Sequence, residues 1–194
     1  LNGGISQLAK ARNVNVLCGK ASFTNNSEII VETSEKKEKI QFKNCIIASG
    51  STATMLPNLP SNHPSVLTSK TALNLDDIPG SLLIIGGGII GLELGQVYST
   101  LGTDVSVVEY MPSLIPGADD DIAKPLIRKL KKHFKSIMLS SKVTNVDVGF
   151  EEGVKVSIES NNEIKDQVYD KVLVSIGRKP NTKLLSLENT DIKI

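Results

Sequence analysis

Residues 81–109 read SLLIIGGGIIGLELGQVYSTLGTDVSVVE, and this stretch decides the fold class. The apolar run at residues 82–85 is typical of a strand that is buried on both faces of a parallel sheet. A second buried strand is predicted from Val105, Val107 and Val108, and it ends at Glu109. Between the two strands, apolar side chains recur with the spacing of one helix face, at Ile90, Leu94, Val97 and Leu101. Strand, helix and strand in this order predict an α/β unit with a parallel sheet.

The first strand runs into a turn with the spacing G-x-G-x-x-G, formed by Gly86, Gly87, Gly88, Ile89, Ile90 and Gly91. The first glycine of this pattern permits a tight turn, the second lets a pyrophosphate approach the backbone, and the third brings helix against strand. The helix N-terminus then offers free N–H groups and the positive end of its dipole to phosphates. These residues therefore predict a Rossmann-like dinucleotide-binding domain, and the alternative is a glycine-rich turn without a ligand.

Two acidic residues near this turn are candidates for contacts with the nucleotide. Glu109 closes its strand 23 residues after Gly86, where a carboxylate can accept hydrogen bonds from an adenosine ribose. Its charge would repel a 2′-phosphate, so NAD is favoured over NADP. Glu93 lies in the first turns of the helix, where it either complements the helix dipole or lies beside the nicotinamide half of the dinucleotide.

The sequence after residue 109 predicts a second helix and an antiparallel meander. The helix is predicted from Asp119, and Pro125 indicates that it either starts late or kinks. Its basic cluster at residues 128–135 is typical of a solvated helix face. Beyond the helix, strands are expected at residues 137–139, 143–148, 154–159, 164–169 and 172–176. The middle three alternate between apolar and polar residues and are bounded by turn residues, which predicts the meander.

The opening residues repeat the second half of this unit. A helix, a strand at residues 14–17 and alternating segments lead to FKNCIIASG at residues 42–50, which parallels YDKVLVSIG at residues 169–177. Both stretches run from an aromatic residue through a polar pair and a buried strand to a glycine. We therefore expect residues 1–75 to hold the C-terminal part of a second similar domain and a crossover, and residues 76–194 to hold the NAD-binding domain. The glycine-turn half of that other domain is expected to lie outside this chain.

Composition and charge exclude several classes of function. Lys and Arg total 22 against 21 Asp and Glu, and the resulting net charge of +1 does not support a basic nucleic-acid-binding surface. No apolar run is long enough to span a membrane. The two cysteines, Cys18 and Cys45, cannot form a disulfide scaffold and lie in apolar strand settings, which predicts buried and inert thiols. We expect the cytoplasm as the compartment, with the mitochondrial matrix as the alternative.

These features together resemble the flavoprotein disulfide reductases with two dinucleotide-binding domains, and the likeness covers essentially all 194 residues. The stretches that carry it are LNGGISQL at residues 1–8, CGKA at 18–21, CIIASGS at 45–51, IIGGGIIGLELG at 84–95 and SIGRKPNT at 175–182. The glutamate of GLELG together with Glu109 points to the branch of the family that oxidises dihydrolipoamide, because relatives that use NADP carry basic residues near that position. Ser49 departs mildly from the threonine that is usual in the family and keeps a hydroxyl.

The resemblance implies two sets of cofactor contacts. An NAD pyrophosphate and its nicotinamide side would be met by the glycine turn and the start of the helix, at Gly86, Gly87, Gly88, Ile89, Ile90, Gly91, Leu92 and Glu93. Glu109 would take the adenosine ribose, Val143 would border the adenine, and Gly177 would face the dinucleotide. FAD would be contacted by residues of the partial first domain, at Gly19, Ser49, Gly50 and Ser51. Without the resemblance, Val143 is also typical of a meander core and Gly19 of a turn.

For the whole protein, the resemblance implies a homodimeric enzyme that passes electrons from dihydrolipoamide through a redox disulfide and FAD to NAD⁺. Its partners would be the lipoyl-domain proteins of 2-oxoacid dehydrogenase complexes. The sequence contains neither the C-x4-C pair nor the C-terminal His-Glu pair of the family, so no catalytic residue and no metal ligand is assigned. We expect this chain alone to be inactive. Two alternatives stay open, namely another flavoprotein of the same build, such as an NADH oxidase or a mercuric reductase, and a non-catalytic NAD-binding module.

Overall fold

A computed structural model describes residues 2–57, 59–60 and 62–193, so Leu1 of the quoted opening lies outside the described residues. The chain divides into two compact units, a smaller one of Leu1–Ser51 with Pro180–Ile194 and a larger one of Thr52–Lys179. The α-helices are α1 Asn2–Ala11, α2 Ile89–Thr100 and α3 Asp120–His133. The strands are β1 Lys20–Asn25, β2 Glu28–Glu32, β3 Lys37–Gln41, β4 Ser51–Ala53, β5 Val66–Thr68, β6 Ser81–Ile85, β7 Asp104–Val108, β8 Ser136–Met138, β9 Ser141–Asp147, β10 Val154–Ser160, β11 Glu163–Tyr169, β12 Lys171–Val174 and β13 Arg178–Pro180. Short 3₁₀ helices occupy Thr71–Asn74 and Leu187–Asn189.

The larger unit is built on a five-stranded parallel sheet with the order β5-β12-β6-β7-β8. The chain enters this sheet at the edge strand β5, continues at β6, moves outward through β7 and β8, and returns with β12 between β5 and β6. Leu82, Leu83 and Ile84 of β6 have no exposed surface, and burial of each such side chain contributes about 1.5–3 kcal/mol. The predicted α/β fold with buried parallel strands is confirmed.

The meander covers one face of this sheet. Strands β9, β10 and β11 pair antiparallel, with β10 in the centre. Val154, Val156 and Ile158 of β10 are buried in one apolar cluster with Leu83 and Val172 of the parallel sheet. The predicted meander is therefore confirmed, and it provides the layer that makes the parallel strands buried on both faces.

Helix α2 lies on the opposite face, but it is turned relative to the predicted apolar face. Leu94 is buried as expected, whereas Val97 and Leu101 are 44% and 48% exposed. The buried stripe includes Gly91 and Gly95 instead. A Cβ at Gly95 would lie 2.5 Å from Cδ1 of Ile84 and 3.0 Å from Cζ of Phe134. The helix faces the sheet through its glycines because only they allow so close an approach, which apolarity alone does not reveal.

Helix α3 begins at Asp120 with Pro125 inside it, so the helix does not start late. Its buried side chains are Ala123 and Leu130. The basic side chains in its second half are all exposed. The interpretation of this cluster as a solvated helix face agrees with that exposure.

The smaller unit contains the other predicted meander, in which β1, β2 and β3 pair antiparallel. The Phe23 N–H donates to the carbonyl of Leu185 at 2.8 Å, and the Phe23 ring meets the edge of Phe42 at 6.0 Å between ring centres. The Asn189 side chain also donates to the carbonyl of Phe23, at 2.8 Å. The segment that follows residue 179 thus packs on the first meander.

Two expectations for the smaller unit are wrong. Residues 14–17 and 45–47 do not form strands, and Val16 and Ile46 are 73% and 92% exposed. Cys18 and Cys45 are exposed free thiols rather than buried ones. The physical reason is that a strand needs a neighbour for its backbone hydrogen bonds, and no strand among residues 2–57, 59–60 and 62–193 pairs with either segment.

The boundaries of the two compact units differ from the division into residues 1–75 and 76–194 that the sequence analysis expects. They lie after Ser51 and after Lys179. Strand β5, from the expected crossover, pairs in parallel with β12 and so belongs to the larger unit. The end of the chain joins the smaller unit through the contacts with Phe23. Within the residues that the structure describes, no helix has the length and apolar character to cross a membrane.

Candidate nucleotide-binding cleft

A cleft of about 780 Å³ opens in the larger unit where three parallel strands end. Its lining includes Ile85, Val108 and Val174, which are the last residues of β6, β7 and β12. In open α/β sheets, ligands bind outside the carboxyl ends of the strands, at the point where the strand order reverses. The order β12-β6-β7 places that reversal beside β6. The volume lies within the range of about 300–1,000 Å³ that is usual for small-molecule sites.

The glycine turn closes directly over the end of β6. Gly86 has a φ of +108°, and a Cβ there would overlap the carbonyl oxygen of Ser175 and lie 2.8 Å from its carbonyl carbon. The Gly86 N–H donates to the carbonyl of Val108 at 2.8 Å, and the Ser175 N–H donates to the carbonyl of Ile85 at 2.8 Å. Only glycine fits a position with this backbone conformation and this neighbour.

The other two glycines of the motif differ from each other in what surrounds them. Gly91 packs closely, since a Cβ there would lie 2.7 Å from the carbonyl oxygen of Gly86 and 2.9 Å from Cγ2 of Ile84. Gly88 is the residue before α2, with extended backbone at φ −78°, and a Cβ there would have no heavy atom within 4 Å. The space in front of Gly88 is therefore open to a ligand, next to the free N–H groups of a helix N-terminus.

Glu109 is 7% exposed and holds two backbone groups with its carboxylate. Its Oε2 accepts the N–H of Gly87 at 2.6 Å, and its Oε1 accepts the N–H of Met111 at 2.6 Å. Glu109 also lines the cleft. Since each carboxylate oxygen has two acceptor positions, the carboxylate retains the capacity to accept hydroxyl donors from a ligand.

The wall next to Glu109 combines the loop after β7 with the start of β9. Tyr110 and Met111 line the cleft from the loop, and Lys142 and Val143 line it from β9. The two segments are joined where the Ser141 N–H donates to the carbonyl of Glu109 at 3.0 Å. Val143 is half-buried and pairs with Ile158 of β10.

Another wall of the cleft follows β12, next to the glycine turn. Ser175, Ile176, Gly177 and Arg178 all line the cleft. Gly177 has a φ of +123°, and its carbonyl accepts the N–H of Thr54 at 2.9 Å. The Arg178 guanidinium donates to Oγ of Ser69 at 3.0 Å, which holds this cation at the rim.

The structure brings seven of the predicted site residues together in the cleft lining, namely Gly86, Gly88, Ile89, Ile90, Glu109, Val143 and Gly177. Four others belong to the same turn and helix but are absent from the lining, namely Gly87, Gly91, Leu92 and Glu93. Leu92 is a buried core residue, and Glu93 lies on the exposed side of α2.

The remaining four predicted residues belong to the smaller unit. Gly19 packs on the meander, because a Cβ there would lie 2.5 Å from the carbonyl oxygen of Glu32. Asn181 donates to the carbonyl of Gly50 from its N–H at 3.0 Å and to the carbonyl of Ser49 from its side chain at 3.1 Å. Ser51 is the first residue of β4. These contacts account for the turn at Gly50, and the FAD contacts expected at these positions stay a prediction.

Sequence reasoning did not identify several lining residues as candidates. Arg178 is part of the quoted SIGRKPNT stretch, so the resemblance held a signal for it. Lys142 precedes Val143, and the loop at residues 110–116 follows Glu109 directly. The position of that loop at the carboxyl end of a parallel strand was the available signal, since ligands bind at this edge.

Comparison with known proteins adds a family and a set of relatives. The model of the family described as "Pyridine nucleotide-disulphide oxidoreductase" matches residues 1–194. A dihydrolipoyl dehydrogenase of Vibrio parahaemolyticus is 44% identical over 195 residues, which is 100% of this chain and 41% of the relative. Dihydrolipoyl dehydrogenases of Haemophilus influenzae and Geobacillus stearothermophilus are 40% and 37% identical, again over all of this chain and over 40% and 41% of their own length.

Solved structures support the same fold. The HOCl-induced flavoprotein disulfide reductase RclA of Escherichia coli matches with a TM-score of 0.81 and 30% identity, over 100% of this chain and 43% of its own. LpdA of Mycobacterium tuberculosis matches with a TM-score of 0.85 at 22% identity, over 98% and 42% of the two chains, which shows the fold alone. The chain thus spans about two fifths of the length of the relatives that it matches.

Proposed function

Because this chain belongs to the pyridine nucleotide-disulphide oxidoreductase family, we propose that the cleft of its larger unit binds NAD(H). The observation that carries the proposal is the combination of an open space before Gly88 with the buried carboxylate of Glu109 at the same cleft. An anionic pyrophosphate fits the helix N-terminus, and a ribose with two free hydroxyls fits a carboxylate acceptor.

The residues present fit each part of the nucleotide. The pyrophosphate takes the space before Gly88, where a side chain of the protein would otherwise lie. The adenosine half lies by Glu109 and Val143, with Tyr110 and Met111 as the apolar neighbours in the lining. The nicotinamide half takes the side of the cleft that Gly177 lines. When bound, the nicotinamide ring supplies hydride transfer, and these residues supply its binding and orientation.

For the whole protein, we propose the oxidation of dihydrolipoamide by NAD⁺ through FAD and a redox disulfide, which gives lipoamide, NADH and a proton. The relatives named dihydrolipoyl dehydrogenase, at 34–44% identity, favour this reaction over that of an NADH oxidase or a mercuric reductase. A homodimer, lipoyl-domain proteins as partners and a cytoplasmic location belong to the same proposal.

The residues of this chain do not by themselves account for the flavin part of this reaction. The glycine at position 19, a predicted FAD contact, is explained within this chain by the backbone of Glu32, which lies where a Cβ would be. The described part of the smaller unit contains no glycine turn between a strand and a helix N-terminus. We assign the FAD pyrophosphate site, the redox disulfide and the catalytic base to the parts of the relatives that this chain does not match.

Titration calorimetry with NADH and NADPH tests the proposed cofactor. We expect NADH to bind more tightly by about 1–3 kcal/mol, the scale for a badly matched charged group, which is about 5-fold to 150-fold in Kd. The Glu109→Gln variant should narrow this ratio, because the carboxylate that distinguishes a free ribose from a 2′-phosphate is gone. The matched control is Glu151→Gln, at an exposed turn outside the cleft lining. Equal affinities for NADH and NADPH would show that Glu109 does not select between them. If neither nucleotide binds, the proposal that the cleft is an NAD(H) site is refuted.

A further inference from the structure

The middle of the glycine turn is tied to the loop after β7 through both backbone groups of Gly87. The Gly87 N–H donates to Oε2 of Glu109 at 2.6 Å, and its carbonyl accepts the N–H of Ile115 at 2.9 Å. A Cβ at Gly87 would lie 2.5 Å from Cδ2 of Leu114, which is buried at 1% exposure. Gly87 occupies a position that the G-x-G-x-x-G pattern leaves variable, so the glycine is explained by this loop and not by the pattern.

Glu109 is the centre of this connection. Its second carboxylate oxygen accepts the N–H of Met111 at 2.6 Å, so one buried side chain joins the glycine turn to the following loop. Hydrogen bonds from backbone N–H groups to an ionised carboxylate are about twice as strong as those between neutral groups. The same carboxylate therefore shapes the cleft before any ligand is bound.

We propose that Glu109 is a positioning residue, which holds the glycine turn in its phosphate-binding shape in addition to accepting the ribose hydroxyls. This inference rests on the proposed function, since it takes the cleft to be the NAD(H) site. A turn that is already ordered loses less freedom when the pyrophosphate binds, and that difference appears as affinity. Replacement of Glu109 therefore weakens contacts that the side chain does not make itself.

One consequence concerns cofactor preference. A neutral or basic side chain at position 109 removes the repulsion of a 2′-phosphate, but it also withdraws at least one of the two acceptors of the Gly87 and Met111 N–H groups. Both nucleotides then meet a less ordered turn. The ratio of NADH affinity to NADPH affinity therefore narrows mainly because the affinity for NADH falls, while the affinity for NADPH rises little.

ADP and 2′,3′-dideoxy-ADP separate the two roles of the carboxylate. Both ligands present adenine and a pyrophosphate, but only ADP offers ribose hydroxyls to Glu109. We expect Glu109→Gln to weaken binding of the dideoxy ligand by about 12-fold to 150-fold, as for the loss of one hydrogen bond to a charged group. Glu151→Gln should bind both ligands like the unchanged chain. If Glu109→Gln binds 2′,3′-dideoxy-ADP with the unchanged Kd, Glu109 acts through the ribose alone and the inference is wrong.

A second readout needs no nucleotide and so distinguishes failure of the inference from failure of the proposed function. Hydrogen exchange at the Gly87 and Met111 amides should be at least about tenfold faster in Glu109→Gln than in the unchanged chain, measured relative to the Leu83 and Val107 amides in the sheet core. In Glu151→Gln these relative rates should not change. Unchanged relative exchange in Glu109→Gln overturns the inference even if NADH binds, while faster exchange supports the positioning role even if neither ADP ligand binds.

Discussion

Replacing Gly88 by valine should abolish nucleotide binding and leave the fold nearly intact. The backbone at Gly88 is extended, at φ −78° and ψ 175°, which any residue adopts, and a Cβ would meet no protein atom within 4 Å. The expected loss of stability is at most about 1 kcal/mol, because valine is a poor residue before a helix. Binding should fall at least about 100-fold, or about 2.8 kcal/mol, since the side chain fills the space through which a pyrophosphate reaches the backbone.

The other two glycines of the turn provide the contrast. Gly86→Ala should cost about 2–5 kcal/mol of folding free energy, from a positive φ and from overlap with the carbonyl of Ser175. Gly91→Ala introduces a Cβ 2.7 Å from the Gly86 carbonyl oxygen and 2.9 Å from Cγ2 of Ile84, which costs about 1–3 kcal/mol. Up to about 1 kcal/mol of that cost is offset by the higher helix propensity of alanine.

Urea unfolding and calorimetry with NADH, done on the same preparations, check this contrast. The expected order of unfolding free energies has Gly88→Val close to the unchanged chain and Gly86→Ala lowest. Calorimetry should show NADH binding to the unchanged chain and none to Gly88→Val at the same concentration. If Gly88→Val binds NADH normally, the space before Gly88 is not the pyrophosphate site. If it unfolds as easily as Gly86→Ala, the reasoning from Cβ contacts is refuted.

Three further outcomes are expected. The purified 194-residue chain should retain no FAD and should not oxidise dihydrolipoamide with NAD⁺, and a stoichiometric flavin absorption band or turnover would contradict this. Tyr98→Phe should lower the unfolding free energy by about 1–2 kcal/mol, because the buried Tyr98 hydroxyl donates to the Ala72 carbonyl at 2.8 Å; an unchanged urea midpoint would contradict it. Burial, with smaller effects of Asp77 and Asp76, raises the pKa of Tyr98 above its ordinary 10.0, so the stabilisation is present below about pH 10 and is lost as pH rises through the folded pKa. Urea unfolding between about pH 8 and pH 11 should show this decline, and Tyr98→Phe should reduce its slope.

Elements of the larger unit could be predicted from sequence because their signals are local. The run at residues 82–85 ends at a glycine turn, and both its length and its boundaries indicate a buried strand. The meander strands alternate between apolar and polar residues, and their turns contain Gly149, Gly153 and Asn161. Such patterns indicate whether each residue is buried or exposed, and the neighbouring strands need not be known.

Other features depended on partners that the local sequence does not show. The face of α2 was misjudged because Gly91 and Gly95, which carry no apolar side chain, form its contact with the sheet. Residues 14–17 and 45–47 are as apolar as true strands, yet they remain exposed in this chain. Apolar character predicts a tendency to be buried, while a strand also requires a neighbouring backbone to receive its hydrogen bonds.

In the candidate site, too, some features could be predicted from local sequence, while others depend on residues that are brought together only by folding. The spacing from Gly86 to Glu109 identified a carboxylate that faces a cleft, because motif residues follow one another along strand, helix and strand. The spacing could not show that this carboxylate already accepts hydrogen bonds from Gly87 and Met111. Those donors belong to two loops that meet only when the parallel strands lie side by side. A residue assigned to ligand recognition from a motif can therefore carry the shape of the site as well, and affinities for ligands that lack its recognised group are needed to separate the two roles.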